Sequence, residues 1–214
     1  MTKVAIWVES EMRERKRAIA SLADALAPYA TSIKTIEVDS AAKSSGISSD
    51  FSETENVIHC PLTLNLPSQV NFPAKKLYRA CGDVRKTREW VEKKLNYRTA
   101  EGNLWLPVAL TAKGPLYGEA IAAAAETYRQ PAHLSDSNRQ PLYHLAYKLL
   151  EGLGASPAVY LLQFRLEGSE ILFDRLYPFP AEPAIASLGV QQPDLFACHG
   201  LCAIGQPLLD LTIV

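Results

Sequence analysis

The sequence lacks a long hydrophobic run and has few cysteines. Its longest stretch without a formal charge, 56–74, contains three prolines and several amides, so it does not predict a membrane helix. The apolar run 4–8 is too short for the core of a secretory signal peptide. Four cysteines among 214 residues are too few for a disulfide framework. A reducing cytoplasm is therefore the expected compartment.

An excess of one charge is also missing. The 22 Lys and Arg residues oppose 23 Asp and Glu residues, which gives a formal net charge of −1. This balanced net charge gives no reason to expect a nucleic acid or an anionic membrane as a partner. The Gly-x-Gly-x-x-Gly turn and the Gly-Lys-Ser/Thr ending of a Walker A loop are absent, which argues against those two nucleotide sites.

The chain does contain a strand–helix–strand pattern at its start. The β-branched run 3–8 predicts a buried strand, and alternation over 32–38 predicts a second one. An apolar stripe between them predicts a helix capped by Ser10, and such a crossover favours parallel pairing. The Ser-, Ala- and Gly-rich segment 39–55 predicts a mobile loop or linker.

The predicted fold class is α/β, with a βαβ subdomain over 1–72 and a second subdomain over 73–214. Proline 107 predicts that the strand 104–110 lies at an edge or a bulge. The remaining periodicity predicts helices over 83–96, from Glu119 onward, over 141–153 and over 193–204, a hairpin of 158–166 with 170–176, and a final strand over 208–214.

The segment 75–98 is locally basic, with nine Lys and Arg residues against three acids. Such an excess can attract an anionic or phosphorylated ligand. The alternative is a solvated helix face with pairs such as Glu89 and Lys93. Few aromatic residues are interleaved for base stacking, which argues against nucleic acid.

Cysteine and histidine suggest a second candidate site. Cys198, His199 and Cys202 resemble one half of a zinc site, but zinc is usually bound by two pairs of ligands that are each closely spaced in sequence. Because Leu195, Cys198 and Cys202 share one helical stripe, we expect both cysteines to be buried and metal-free. Asp174 is a charge inside a predicted strand, where it either pairs with the neighbours of Arg175 or points out of the sheet. The outward position is the expected one.

A glycine-punctuated loop over 107–121 is a third candidate. A predicted strand leads into Lys113, Gly114 and Gly118, and a predicted helix follows. Backbone amides in such a loop, with a helix N-terminus behind them, can bind phosphate. A plain turn is the alternative.

Two segments resemble the ATP-grasp enzymes. PVALTAKGPLYGEAI (107–121) resembles their strand and glycine-rich loop, and 83–100 resembles the helix before it. The segment 142–210 is similar to the last part of the ATP-grasp domain of carboxyaminoimidazole ribonucleotide synthetases. The matching residues are Leu149, Leu153, Gly154, Phe164, Pro178, Pro180, Gly205, Pro207 and Leu208. The resemblance implies a shortened ATP-grasp-like α+β unit after the βαβ unit, and a homodimer.

The departures from that family pattern concern its charged residues. Thr111 stands where the resemblance implies a phosphate-binding lysine, and Gln163 where it implies a metal-binding glutamate. Asp174 and Arg175 replace an asparagine–glutamate pair, so a second metal carboxylate has become a cation. The nucleotide-binding candidates are Thr111, Lys113, Gly114, Gly118, Gln163 and Asp174, with no catalytic or metal-binding residue.

Three functions follow. The first is a catalytically degenerate ATP-grasp-like protein that acts as a binding or regulatory module, with no cofactor expected. The second is an ATP-dependent carboxylate–amine ligase using ATP and magnesium. In it Lys113 or a residue of the basic segment replaces the lost lysine, and Asp174 holds the metal. The third is an unrelated interaction or nucleic-acid-binding domain.

Overall fold

A three-stranded parallel sheet forms the N-terminal part of the protein. The computed structural model describes residues 2–12, 14–38 and 57–214, so the predicted loop over 39–55 lies outside the described residues. The elements are β1 (Lys3–Glu9), α1 (Arg15–Leu26), β2 (Ser32–Val38) and β3 (Val57–Pro61). The strand order is β2-β1-β3, with both pairs parallel, so the predicted βαβ unit is confirmed.

Helix α1 begins at Arg15, five residues after the predicted cap. The backbone N–H of Ser10 donates to the carbonyl of Val38 at 3.4 Å, which extends the β1–β2 pairing by one residue. Ser10 therefore continues the strand edge instead of capping the helix, and its predicted role is wrong.

An antiparallel sheet dominates the rest of the chain. Its strands are β4 (Leu104–Thr111), β5 (Gly114–Tyr117), β6 (Ala120–Ala124), β7 (Thr127–Ala132), β8 (Ala158–Glu167) and β9 (Glu170–Tyr177). The order is β7-β6-β4-β8-β9, and β5 pairs with β4. The predicted β8–β9 hairpin is confirmed. Strand β4 is interior, which corrects the edge prediction. Pro107 is tolerated because it falls between the residues that pair with β6 and those that pair with β5.

The helix predicted from Glu119 is wrong, because this segment forms the β6–β7 hairpin. Alanine has a high helix propensity, and Ala120–Ala124 contains four of them. Tertiary packing overrides it, since Ile121 pairs with Trp105 of β4 and is fully buried.

The helices after the parallel sheet cover the antiparallel one. They are α2 (Lys75–Gly82), α3 (Val84–Leu95), α4 (Asp136–Gly152), α5 (Leu195–Ala203) and a short 3-10 helix (Glu182–Ser187). A two-stranded ribbon joins β10 (Gln191–Gln192) to β11 (Thr212–Ile213), which is shorter than the predicted final strand. Helix α4 begins before Pro141, so the predicted start there is wrong. Within the described ranges, no helix is both long and apolar enough to cross a membrane.

Two hydrophobic clusters hold these layers together. Helices α2, α3 and α4 cover one face of the antiparallel sheet. The other face packs against α5, and that cluster continues into Ile6 and Leu22 of the N-terminal unit. Gly200 permits this contact, because a Cβ there would lie 2.6 Å from Cδ1 of Leu22. The two predicted subdomains therefore share one core.

The cysteines of α5 lie inside that core. Cys198 and Cys202 are buried, as their shared stripe predicts, and burial raises the pKa of Cys202 to about 11. In residues 2–12, 14–38 and 57–214, no group of three or more His, Cys, Asp and Glu side chains could hold a metal ion. Their metal-free state stays a prediction.

Candidate functional site

The strand register separates the sequence-predicted site residues into two groups. Leu110 of β4 pairs with Ala158 of β8, whereas Trp105 pairs with Gln163. Six residues separate Trp105 from Thr111, so these levels of the sheet are about 20 Å apart. We call them the turn end, with Thr111, Lys113 and Gly114, and the ion-pair end, with Gln163 and Asp174. The predicted residues do not converge on one cleft.

The turn end is a tight β-hairpin. The Thr111 hydroxyl donates to the carbonyl of Gly114 at 2.8 Å and accepts from the backbone N–H of Lys113 at 3.1 Å. Gly114 has φ 123°, a conformation that favours glycine, and the Lys113 side chain is exposed. Strand β5 follows at once, so this segment lacks the helix N-terminus that the phosphate-binding interpretation required.

Gly118 lies away from the turn, where its backbone meets β4. Its N–H donates to the carbonyl of Pro107 at 2.9 Å. An added Cβ would lie 3.2 Å from the Pro107 side chain and 3.5 Å from the Gln191 amide oxygen. Gly118 thus serves close packing in this structure.

A β-bulge shapes the ion-pair end. Gln163 pairs with Arg175 and Phe164 pairs with Phe173, which leaves Asp174 as the extra residue of β9. The Asp174 side chain is 2% exposed. The expectation that it faces outward is wrong, because the bulge turns it away from the alternation of a regular strand.

The Asp174 carboxylate is surrounded by donors. Oδ1 accepts from a terminal nitrogen of Arg88 at 2.5 Å and from Nε of Arg175 at 3.2 Å, and Oδ2 accepts from the backbone N–H of Gly102 at 2.8 Å. Nε of Arg88 also donates to the Asp174 carbonyl at 3.0 Å. These contacts neutralise the buried charge and satisfy both carboxylate oxygens.

The Gln163 side chain also bonds to Gly102, which lies in the connection from α3 to β4. Its Nε2 donates to the carbonyl of Gly102 at 2.5 Å, and its Oε1 accepts from the Tyr177 hydroxyl at 3.4 Å. A Cβ on Gly102 would lie 2.4 Å from the carbonyl oxygen of Phe164, so only glycine fits. Gln163 and Asp174 therefore both fasten the connection from α3 to β4.

Arg175 and Trp105 lie beside this network, and Tyr177 belongs to it through Gln163 and Arg175. The Arg175 side chain is 38% exposed. Trp105 is 7% exposed, and its indole N–H has no partner in the described part of the chain. Burial raises the pKa of Tyr177. The charge of Arg175 and its contact with the Tyr177 hydroxyl oppose this rise, and Asp174 and Glu182 add to it.

The basic segment is largely paired. Arg85, Lys86, Arg88 and Arg98 each contact a carboxylate. Lys75 donates to the carbonyl of Ser68. Glu89 pairs with Arg85, at the spacing expected of a solvated helix face.

Sequence reasoning missed Arg88, Gly102 and Tyr177. Arg88 was one of nine equivalent cations, and only the fold shows which one faces Asp174. The available signal for Gly102 was its position just before a predicted strand, because a glycine there often marks a close approach of another backbone segment.

No protein-family model matches this sequence, and no curated protein sequence matches it. Solved structures do match. The N5-carboxyaminoimidazole ribonucleotide synthetase from Thermotoga maritima aligns with a TM-score of 0.72 at 11% identity, covering 100% of this chain and 78% of its own. The glycinamide-RNase-transformylase T from Mycobacterium tuberculosis aligns at 0.67 and 15% identity, covering 95% and 80%.

A third match is the carboxyaminoimidazole ribonucleotide synthase from Aspergillus clavatus complexed with ATP. Its TM-score is 0.69 at 12% identity, and it covers 96% of this chain and 78% of its own. These proteins are ATP-grasp enzymes. The matches include the N-terminal parallel sheet, which the sequence resemblance over 83–210 did not reach. At this identity the comparison shows the fold, and the chain has the α/β fold of the ATP-grasp enzymes in a shortened form.

Proposed function

We propose that this chain is a binding protein on the ATP-grasp fold that has lost metal-dependent ligase chemistry. The observation that carries the proposal is the state of Asp174, whose two carboxylate oxygens already accept three hydrogen bonds. Magnesium needs near-octahedral oxygen ligands, commonly carboxylates and phosphates. Here the carboxylate is paired with Arg88, and the neighbouring Arg175 would repel a divalent cation.

Lys113 does not replace the lysine required for phosphoryl transfer either. Such chemistry relies on a metal and a cation to stabilise charge on the transferring group. Lys113 lies at the turn end, about 20 Å along β4 from the level of Gln163. It is too far away to act together with Asp174.

The ATP-dependent ligase is the second candidate, and the fold favours it. The matched structures include synthetases, and one of them was solved with ATP. In this alternative Asp174 holds magnesium, which requires its contacts with Arg88 and Gly102 to break.

Thermal unfolding with magnesium and ATP distinguishes the two candidates. The proposal expects no magnesium-dependent rise in melting temperature and no phosphate release from ATP. A rise that disappears in Asp174→Ala, together with phosphate release, would establish the ligase and overturn the proposal.

A double variant provides the matched control. Gln163→Glu with Arg175→Glu restores both carboxylates that the resemblance implies. A magnesium response in this variant, and not in the natural sequence, supports loss of the metal site as the cause. Thr111→Lys is left out because Thr111 lies at the turn end.

We also propose that the protein forms a homodimer. The exposed apolar side chains Leu209, Ile213 and Val214 near the C-terminal ribbon support this proposal. Sedimentation at tens of micromolar protein tests it, and a monomer mass would contradict it.

A further inference from the structure

We propose that Tyr78 is a latch that holds the parallel sheet against the end of β9. The junction, where the end of β3 meets the end of β9, opens when this latch is released, and the contact between α1 and α5 serves as its hinge. This inference goes beyond the proposed function and holds whether or not the protein binds a nucleotide.

The hinge is one of two places that fasten the parallel sheet to the antiparallel one. Here α1 packs against α5, with a Leu22 methyl group directly over Gly200. The Ser21 hydroxyl also donates to the Asp194 carboxylate at 2.6 Å. Both helices contribute fully buried side chains to one hydrophobic cluster. Segments with many buried apolar contacts are the last to open, so this contact should stay closed when a smaller one is released.

The latch is the second place. The Tyr78 hydroxyl, on α2, contacts the carbonyl oxygen of Pro61 at 2.9 Å and that of Pro178 at 3.1 Å. Pro61 ends β3, and Pro178 follows β9. A hydroxyl has one proton, so the two carbonyls share it. Burial raises the pKa of Tyr78, so the hydroxyl remains a donor at neutral pH. One side chain therefore joins the ends of the two sheets.

Aromatic rings surround the latch. The Tyr78 ring lies edge-on to Phe72, with centroids 5.1 Å apart, and stacks on Phe179 at 5.8 Å. Both phenylalanines are buried. Opening the junction exposes these rings to water, so the opened state is a minor one. The same opening lets solvent reach Tyr177, which contacts Phe179 and donates to Gln163 of the ion-pair end.

Hydrogen exchange followed by mass spectrometry tests the latch in Tyr78→Phe, which keeps the ring and removes only the hydroxyl. We expect amides of 57–63 and 176–181 to exchange about 5- to 10-fold faster, the change that one lost hydrogen bond makes in an opening equilibrium. The N–H of Leu62 is a direct reporter, because it donates to the carbonyl of Trp7 at 2.7 Å. Helices α1 and α5 should keep their natural rates.

Tyr160→Phe is the matched control. Tyr160 is also a buried tyrosine, and its hydroxyl donates to the carbonyl of Ser156 at 2.6 Å. This bond lies within the antiparallel part of the chain and does not span the junction. Its loss should leave exchange over 57–63 within about 2-fold of the natural rate, because distant sites act independently. Melting temperatures show whether each variant is folded.

The inference is overturned if Tyr78→Phe leaves exchange over 57–63 unchanged, or if Tyr160→Phe accelerates it equally. It is also overturned if exchange in α1 and α5 rises by the same factor, because the two sheets would then separate only by global unfolding. None of these results depends on magnesium or ATP, so failure of the latch leaves the proposed function standing.

Discussion

The two ends of the antiparallel sheet are closed by different chemistry. At the ion-pair end, Arg88 neutralises the buried Asp174. Toward the turn end, β9 stops opposite Leu161, and the N–H of Val159 donates to Nδ1 of His199 at 3.2 Å instead. Burial lowers the pKa of His199 to about 4, so its ring is neutral near pH 7. The comparison teaches that a buried ion pair holds one end of the sheet, whereas a neutral ring closes the other.

Removing the buried carboxylate should break the ion-pair end most severely. Asp174→Ala leaves Arg88 as an uncompensated charge and the N–H of Gly102 without an acceptor. We expect a loss of about 3–5 kcal/mol in the free energy of unfolding, measured by urea denaturation. Asp83→Ala removes a partly exposed carboxylate that pairs with Lys86 and caps α3, and it should cost only as much as the loss of a helix N-cap. Equal losses would show that the buried pair has no special role.

Acid should weaken the end held by His199. Its folded pKa of about 4 lies below the ordinary 6.5, so the unfolded chain takes up the proton first. The contribution is fully present above about pH 6.5 and is lost as the pH falls toward 4, by roughly 3 kcal/mol. The free energy of unfolding, measured at a series of pH values in this range, should depend less on pH in His199→Gln. This variant keeps an acceptor for the N–H of Val159. A parallel decline in both proteins would contradict the assignment.

Gly102→Ala tests the close approach of the α3–β4 connection to β8. Its Cβ would lie 2.4 Å from the Phe164 carbonyl oxygen, so the backbone must shift. We expect a loss of about 1–3 kcal/mol in urea denaturation. Gly82→Ala is the control, because nothing lies within 4 Å of a Cβ there. If the two variants have the same stability, the connection is not held as described.

The smallest effect is expected at the hairpin turn. Thr111→Val removes a hydroxyl that bonds Gly114 and Lys113, which should cost about 1 kcal/mol or less. Urea denaturation of the variant and the natural protein measures this difference in the free energy of unfolding. A loss well above about 1 kcal/mol would show that the turn contributes more than these two hydrogen bonds.

Local patterns predicted much of this fold. The βαβ unit and the β8–β9 hairpin each depend on residues close in sequence, and both are confirmed. The segment after Glu119 was misread because its alanines favour a helix in isolation. The segment forms a strand because Ile121 pairs with Trp105 of β4 and is buried. Neither contact can be predicted from a short stretch of sequence.

The candidate site was harder to predict because it depends on register. Gln163 and Asp174 are two of the six predicted site residues, and the structure brings them together at Gly102. Lys113 and Gly114 were added on the basis of a local glycine pattern. A shift of six residues along one strand, which sequence spacing cannot show, places them at the other end.

The contact between α1 and α5 has a consequence for synthesis on the ribosome. Leu22 packs against Gly200, and Ser21 donates to Asp194 at 2.6 Å, a separation of 173 residues. The first helix emerges long before the helix that covers it, so its apolar face stays in water while the antiparallel sheet is made. Such distant closure slows folding and exposes apolar surface to aggregation. This protein should therefore depend on chaperones during translation more than its small size suggests.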